Sequence, residues 1–241
     1  MRPFLLLLLS CLIVSCQDDD DILMPTEPDP SPTDATAINY LALGDSYTIG
    51  TAVTADQRWP AQLADALATA GPDQTAYALD VDYVAVNGWT TGDLLAGIDG
   101  NAADLRETYD LVSLLIGVNN QFQGRPLAEY ERQFELLLND ALRYADGDTS
   151  RVFVVSIPDY AFTPFGNGRA DITAGVNAFN AAARPIAARY DIPFYNITPI
   201  SRRGLDEPEL VATDNLHPSG EQYRRWVAEV LAAPVRGLLA D

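Results

Sequence analysis

Positively charged and metal-binding side chains are scarce in this sequence. It has no lysine, and 34 acidic residues outnumber 15 arginines to give a formal net charge of −19. A nucleic-acid-binding surface needs a concentration of basic side chains, and the arginines form no such cluster, so no nucleic-acid partner is expected. His217 is the only histidine. Because zinc sites usually take three or four His, Cys or carboxylate ligands, we expect no catalytic metal site.

Cysteine is confined to the N-terminus. Cys11 and Cys16 are the only cysteines, so the rest of the chain can form neither a disulfide nor a thiolate metal site. Arg2 followed by an apolar run over residues 4–14 is typical of a secretory signal, and this run is too short to span a membrane. No later apolar stretch reaches membrane-spanning length.

The end of this segment predicts a lipid anchor. Residues 13–16, Ile-Val-Ser-Cys, resemble the lipobox of bacterial lipoproteins, in which signal cleavage leaves the cysteine at the new N-terminus to carry lipid. We therefore expect residues 1–16 to be a lipoprotein signal peptide ending at Cys16. In the alternative interpretation Cys16 closes an ordinary signal peptide. An acylated cysteine would hold the protein on a membrane of the cell envelope, on the periplasmic or the cell-surface side.

The next segment differs in composition from the remainder of the chain. Residues 17–37 contain seven acidic residues and four prolines but no basic residue. Such a stretch cannot bury a core, and its composition predicts an extended tether. Residues 38–241 are long enough to bury one sizeable core. We therefore expect them to form a single domain that acts as a monomer.

Within this domain, apolar runs rich in β-forming residues alternate with segments of helical periodicity. The predicted strands are residues 38–43, 78–86, 111–116, 152–157 and 192–197. Strands that alternate with helices predict an α/β fold, a three-layer α/β/α sandwich around a five-stranded parallel sheet. Active sites of such sheets lie beyond the carboxyl ends of the strands.

Four segments at these positions carry chemically useful side chains. One of them presents Ser46 on a tight turn after the first strand, where a hydroxyl could act as a nucleophile if a base were near. His217 is the only imidazole available as that base. Asp214 precedes it by three residues, close enough for its carboxylate to reach Nδ1 of the imidazole and fix the tautomer.

Acyl transfer also needs hydrogen-bond donors for the developing oxyanion. The candidates are the N–H groups of Ser46 and Gly92 and the side-chain amide of Asn119. Asn119 follows the predicted strand 111–116, so it would stand at the same sheet end as Ser46.

These segments resemble the four sequence blocks of the SGNH, or GDSL, hydrolases, in the family's order and spacing. The blocks are Gly44-Asp45-Ser46-Tyr47, residues 87–93 from Asn87 to Gly92-Asp93, Gly117-Val118-Asn119, and residues 214–218 from Asp214 to His217-Pro218. The resemblance covers residues 38–241. It implies a flavodoxin-like SGNH hydrolase fold, no cofactor, a Ser-His-Asp triad, and Ser, Gly and Asn as the oxyanion donors.

The match departs from the family pattern at one position and is ambiguous at another. Asn120 stands where the family usually has Asp. We expect this difference to affect the hydrogen bonds of the local loop more than it affects catalysis. Gly88 competes with Gly92 as the oxyanion glycine, and Gly92 is preferred because the family's aspartate-flanked glycine falls there.

Several aromatic residues follow the predicted strands near the rim of the expected site. Trp89, Tyr160, Phe162 and Phe165 could line an acyl or sugar pocket, or pack in the core. Residues 158–168 contain Pro, Gly and aromatic residues without helical periodicity, which is typical of an active-site lid and equally of a packed loop.

The sequence as a whole predicts a serine esterase that hydrolyses carboxylic esters. Within that class we weigh a carbohydrate O-deacetylase and a short-chain acyl esterase, with lipase, lysophospholipase or thioesterase activity as alternatives. The expected partners are a small-molecule, lipid or glycan ester and a membrane contacted through the lipid anchor. A different class of protein, a catalytically silent carbohydrate-binding surface lipoprotein, stays open at this point.

Overall fold

A five-stranded parallel sheet forms the centre of the computed structural model, which describes residues 35–72 and 75–240. The strand order is β2-β1-β3-β4-β5, and each neighbouring pair is parallel. The strands are β1 (Thr36–Gly44), β2 (Tyr77–Ala85), β3 (Leu111–Leu115), β4 (Val152–Val155) and β5 (Phe194–Tyr195). The predicted parallel sheet is therefore confirmed.

Helices connect the strands and cover the sheet. They are α1 (Ser46–Ile49), α2 (Trp59–Ala68), α3 (Thr91–Asn101), α4 (Val118–Phe122), α5 (Leu127–Tyr144), α6 (Ala170–Arg189), α7 (Thr198–Ser201), α8 (Gly220–Trp226) and α9 (Ala232–Ala240). A π-helical turn over Val227–Leu231 joins α8 to α9. Helix α8 starts directly after Ser219, whose side chain accepts a hydrogen bond from the Gln222 N–H and caps the helix.

Both faces of the central strands are covered, which gives the three-layer α/β/α sandwich. Tyr40, Leu41, Ala42 and Leu43 on β1 are successive residues that point to alternate faces, and all four are fully buried. Every residue of β3 is buried as well. Helices α3, α5 and α6 form one group of packed helices, and α2, α8 and α9 form another.

The edge strand β5 is shorter than the predicted strand over 192–197. Pro193 has no N–H to donate to a strand ladder, although its carbonyl accepts from the Val154 N–H. At the other end, the Asn196 side chain accepts a hydrogen bond from Thr198 N–H at the start of α7. Backbone pairing of β5 is thus limited to Phe194 and Tyr195.

The boundary of the domain lies slightly earlier than predicted. Strand β1 begins at Thr36, inside the predicted tether over 17–37, because Thr36 and Ala37 pair with Tyr77 and Ala78 of β2. The predicted signal peptide and most of the tether lie outside the described residues. Over the described ranges, no helix combines the length and the apolar character needed to cross a membrane.

Strand register places the loops that carry the motif residues side by side. Gly44, at the end of β1, pairs with Ala85 at the end of β2 and with Leu115 at the end of β3. The chain segments that leave these three residues therefore emerge at the same edge of the sheet. This edge is where the candidate site forms.

Candidate active site

A tight turn between β1 and α1 presents Ser46. Asp45 caps α1, and its carboxylate accepts a hydrogen bond of 3.0 Å from the Tyr47 N–H. A Cβ atom at Gly44 would overlap the side chain of Thr48 and the carbonyl oxygen of Leu115, so only glycine fits where the strand meets this turn. Ser46 is 2% exposed. Its hydroxyl makes no hydrogen bond with any described residue, so it is free to meet a substrate.

The loop before α8 joins the single histidine to an aspartate. His217 Nδ1 lies 2.6 Å from Asp214 Oδ2, as the three-residue spacing predicted. The other carboxylate oxygen accepts from the backbone N–H groups of Leu216 at 3.0 Å and His217 at 2.9 Å. Burial raises the pKa of Asp214, but the hydrogen bonds from the imidazole and these two N–H groups outweigh it, so the pKa lies below its ordinary value. The carboxylate is therefore held in its charged form beside the imidazole.

A cavity of about 250 Å³ brings the separate motif segments together. Ser46, Asn119 and His217 all line it. The Tyr47 ring packs beside the imidazole, with 5.1 Å between ring centroids. The structure therefore assembles side chains from three distant parts of the sequence around one concave surface, as the strand-end positions predicted. It shows no direct hydrogen bond between Ser46 Oγ and His217.

The three predicted oxyanion donors differ in the hydrogen bonds that they already make. The N–H groups of Ser46 and Gly92, each in the first turn of a helix, have no acceptor among the residues that the structure describes. The Asn119 amide Nδ2 donates to the Trp89 carbonyl at 3.0 Å and lies 3.4 Å from Asp45 Oδ2. These contacts fix the orientation of the amide beside the nucleophile.

The two candidate glycines occupy different positions. Gly88 is exposed, has a φ of +87° and lines the cavity. Gly92 is not among the residues that line the cavity, and a Cβ atom there would lie 3.3 Å from the Gln133 side chain. Neither the Gly88 N–H nor the Gly92 N–H has an acceptor among the described residues, so both could serve as donors. The N–H of Thr91, which stands between them in the sequence, is already used by Asn120 Oδ1 at 2.9 Å.

Asn120, the departure from the family pattern, ties α4 to the start of α3. In addition to accepting from Thr91 N–H, its Nδ2 donates to Thr91 Oγ1 at 2.7 Å. The residue is fully buried. The amide side chain thus serves as donor and acceptor at once, which keeps the helix that carries Asn119 fixed against the neighbouring helix.

Asp45 is a fully buried carboxyl group directly beside the nucleophile. Burial raises the pKa of Asp45 to about 7, although the hydrogen bonds from Tyr47 N–H and the Asn119 side chain oppose the shift. No arginine forms an ion pair with Asp45 in the described part of the chain. The sequence motif identified this residue only as part of the turn.

The predicted aromatic residues divide between the cavity and the core. Tyr160 and Phe165 line the cavity. Trp89 packs against Gly97 of α3, and Phe162 packs against the hydrophobic core, so neither lines the cavity. Phe122 lines it and was missed, although its position one turn after Asn119 on the same helix was a usable signal.

Hydrogen bonds hold residues 158–168 against the rest of the domain. The Phe165 N–H donates to the Asn215 carbonyl at 3.0 Å, next to His217. The buried Asp159 carboxylate accepts from Arg202 Nε at 3.0 Å, and the Asp159 N–H donates to Ser201 Oγ at 2.8 Å. Of the two interpretations of residues 158–168, these contacts favour a packed loop over an active-site lid.

The described residues contain no group of three or more His, Cys, Asp or Glu side chains that could hold a metal ion. The cavity is lined by the hydroxyl of Ser46, by an imidazole bonded to a carboxylate, and by the amide of Asn119. Such a set can perform nucleophilic acyl transfer.

A family model and a sequence relative each match most of this chain. The family model described as GDSL-like lipase/acylhydrolase matches residues 42–225. An arylesterase of Vibrio mimicus is 27% identical over 192 residues, which are 80% of this chain and 85% of that protein.

Solved structures share the fold. A lipase/acylhydrolase from Enterococcus faecalis superposes with a TM-score of 0.63 at 19% identity, covering 84% of this chain and 95% of that chain. An acetylxylan esterase from Geobacillus stearothermophilus gives a TM-score of 0.62 at 19% identity, covering 86% and 96% of the respective chains. The arrangement of sheet and helices is thus that of SGNH hydrolases.

Proposed function

This chain belongs to the GDSL-like lipase/acylhydrolase family and is an ester-bond hydrolase, and from that premise we propose that it works as a serine esterase through Ser46, His217 and Asp214. The observation that carries the proposal is the 2.6 Å contact between His217 Nδ1 and Asp214 Oδ2. It lies beside a cavity that also contains Ser46. These three groups supply the nucleophile, the base and the group that orients the base.

In the first half of the reaction, Ser46 Oγ attacks the ester carbonyl carbon while Nε2 of His217 takes the hydroxyl proton. The Asp214 carboxylate stabilises the imidazolium and keeps Nε2 directed at the serine. The tetrahedral intermediate then breaks its bond to the alcohol oxygen, which receives the proton from His217. An acyl group remains on Ser46, and a free alcohol leaves.

In the second half, water attacks the acyl carbon and His217 takes one of its protons. The bond between the acyl carbon and Ser46 Oγ breaks, the serine oxygen recovers a proton from His217, and a carboxylic acid leaves. Because Ser46 and His217 make no hydrogen bond in the resting structure, the bond between them must form as substrate enters, as is common for catalytic pairs.

The oxyanion of both intermediates needs donors on the side of the carbonyl away from His217. We assign this role to the N–H groups of Ser46 and Gly92 and to the Asn119 amide. Among the described residues, neither N–H group has an acceptor that it would have to give up. Donors that are already oriented stabilise charge without reorganisation during the reaction.

The substrate class stays within carboxylic esters. Carbohydrate acetates and short-chain or aryl esters are the substrates to test first, since the relatives include proteins named arylesterase and acetylxylan esterase. We also propose that Cys16 anchors the enzyme to a membrane of the cell envelope, which would place hydrolysis outside the cytoplasm.

The direct test compares Ser46→Ala with Ser150→Ala in hydrolysis of nitrophenyl acetate. Ser150 is an exposed serine in the turn before β4 and serves as the matched control. We expect Ser46→Ala to lose at least about 10³-fold in kcat, since loss of a triad nucleophile typically costs several orders of magnitude. Ser150→Ala should keep the wild-type rate. Retention of more than about a tenth of the rate by Ser46→Ala would remove Ser46 as the nucleophile.

A further inference from the structure

One end of the active-site cavity is built from aromatic rings. Phe122, Tyr160 and Phe165 contact one another, with ring centroids 6.1 to 6.4 Å apart. All three line the cavity that contains Ser46. Separations of this size are typical of interacting aromatic side chains.

Two of these rings are unusually accessible for their type. Phe122 is 58% exposed and Phe165 is 51% exposed, whereas the other phenylalanines in the described ranges are buried or partly buried. Large apolar side chains that face solvent next to a reactive group commonly mark a ligand-binding surface. The exposed faces of the two rings would be covered by an apolar group in the cavity.

The aromatic end is held in place by both neighbouring segments. The Tyr160 hydroxyl donates to Gln121 Oε1 at 2.7 Å, and Gln121 immediately precedes Phe122 on α4. The Phe165 N–H donates to the Asn215 carbonyl. The rings therefore form a wall that is fixed to the helix carrying Asn119 on one side and to the loop carrying His217 on the other.

Two exposed residues also line the cavity. They are Asn87 and Gly88, and neither carries an aromatic ring. A Cβ atom built at Gly88 would have no heavy atom of the described residues within 4 Å. The space directly beside Gly88 is therefore open to a group of the substrate.

We infer that the aromatic wall of Phe122, Tyr160 and Phe165 binds the acyl part of the substrate and restricts it to short acyl groups, while the alcohol part leaves over Gly88. This inference rests on the proposed function. Phe122 follows Asn119 by one turn of α4, so an ester whose carbonyl oxygen reaches the Asn119 amide has a substituent next to the ring.

The cavity is small. Its volume of about 250 Å³ is below the roughly 300–1,000 Å³ of pockets that enclose drug-sized ligands. Since Phe122 and Phe165 are more than half exposed, the far end of a long acyl chain would extend past the rings into water. No described atom crowds a group placed on Gly88, so esters of large alcohols, including acetylated glycans, fit the same site.

Two substrate series test the inference on the full-length protein. In the first, nitrophenyl esters of acetic, butanoic and octanoic acid vary only the acyl group. We expect kcat/KM for the acetate or the butanoate to exceed that for the octanoate by at least about tenfold, since single methylenes in apolar pockets are worth roughly 10–200-fold. In the second series, acetates of nitrophenol, naphthol and xylan vary only the alcohol.

Variants connect the acyl preference to the wall. Phe122→Ala and Phe165→Ala remove part of the wall, so each should raise the octanoate-to-acetate ratio of kcat/KM by about tenfold or more. The ratios within the acetate series should stay unchanged. Phe122→Leu, which keeps an apolar side chain, should lie between wild type and Phe122→Ala. Leu136→Ala is the matched control, because Leu136 is 53% exposed on α5 and does not line the cavity. Circular dichroism verifies that each variant is folded.

The outcomes separate this inference from the proposed function. If Ser46→Ala is inactive but wild type hydrolyses octanoate as well as acetate, the inference is wrong and the esterase mechanism stands. The same holds if the two phenylalanine variants alter the alcohol series instead of the acyl series. If wild type hydrolyses none of the esters, or Ser46→Ala keeps its rate, the proposed function fails and this inference fails with it.

Discussion

Asn119 has contacts in the resting enzyme that must be shared with an oxyanion during catalysis. Its Nδ2 donates to the Trp89 carbonyl at 3.0 Å, and the second contact, to Asp45 Oδ2, is longer at 3.4 Å. The longer bond is the weaker one. We therefore expect the N–H directed at Asp45 to be the one that turns to the oxyanion.

Replacing Asn119 with Ala should lower kcat by roughly 10²-fold to 10³-fold, as expected for one oxyanion donor. KM should change little, because the donor acts on the intermediate more than on the bound ester. Steady-state kinetics with nitrophenyl acetate measures both. Asn101→Ala, at the exposed end of α3, is the control and should behave as wild type. An unchanged kcat in Asn119→Ala would make Asn119 a structural residue.

Asp45 gives the stability of the fold a specific pH dependence. Its pKa is about 7 in the folded protein against 3.8 as its ordinary value, so between these values the folded chain holds a proton that the unfolded chain has released. Stability from this group is therefore present at low pH and is lost as pH rises towards 7. One pKa unit corresponds to about 1.4 kcal/mol, so the whole effect is of the order of a few kcal/mol.

The variant Asp45→Asn removes this titration. We expect Asp45→Asn to become more stable relative to wild type, with a larger free energy of unfolding by comparison, as pH rises from about 5 to about 8. Urea unfolding at both pH values measures the difference, with Asp99→Asn on the surface of α3 as control. A relative stability that is independent of pH would show that Asp45 does not titrate in this range.

At the level of elements, residues 158–168 depend on one buried carboxylate. Asp159 is fully buried, pairs with Arg202, and accepts from the Ala161 N–H at 3.1 Å. Removing it leaves both donors without that partner. The loop carries Tyr160 and Phe165, so its position bears directly on the cavity.

Asp159→Ala should therefore destabilise the protein by roughly 2–4 kcal/mol, the usual cost of breaking a buried ion pair and its hydrogen bonds. The matched control is Asp171→Ala, which breaks the exposed pair with Arg169 and should cost less than about 1 kcal/mol. Urea denaturation measures both. Equal losses in the two variants would mean that the buried pair does not anchor the loop.

The sequence predicted the elements with strong patterns better than the irregular ones. The parallel strands could be recognised because β1 and β3 are buried on both faces and read as continuous apolar runs. The contact of Asp214 with His217 followed from local spacing. Phe122 was missed although it follows Asn119 by one turn of α4, because its place on the cavity also depends on packing between α4 and residues 158–168, which sequence periodicity does not report. Pro193 was a sequence signal that β5 would be short, because proline rarely continues a strand ladder. The apolar pattern of residues 192–197 led to the longer predicted strand.

The net charge of the whole molecule determines what kind of membrane attachment it can use. With a net charge of −19 the enzyme is repelled by anionic lipid surfaces, so charge does not hold it on a membrane. Under our proposal a covalent lipid on Cys16 would supply the attachment. The acidic residues before β1, 17–35, would keep the hydrolase domain away from the bilayer.

Cys16→Ser should abolish incorporation of radioactive fatty acid and move the protein out of the membrane fraction of the expressing bacterium. Cys11→Ser is the matched control, since it removes the other cysteine of the chain and should be labelled like wild type. Autoradiography and fractionation give the result. A wild-type protein that takes up no label and is recovered in the medium would contradict the anchor.

The central claim is that Ser46 is the nucleophile, and covalent trapping tests it most directly. Diethyl nitrophenyl phosphate transfers its phosphoryl group to an activated serine with loss of nitrophenolate, and leaves an adduct that hydrolyses slowly. Our account predicts one adduct per wild-type chain, located on Ser46 by peptide mass spectrometry, with parallel loss of esterase activity. Ser150→Ala should be labelled in the same way and Ser46→Ala not at all. Inactivation with the adduct on another residue, or full labelling of Ser46→Ala, would contradict the account.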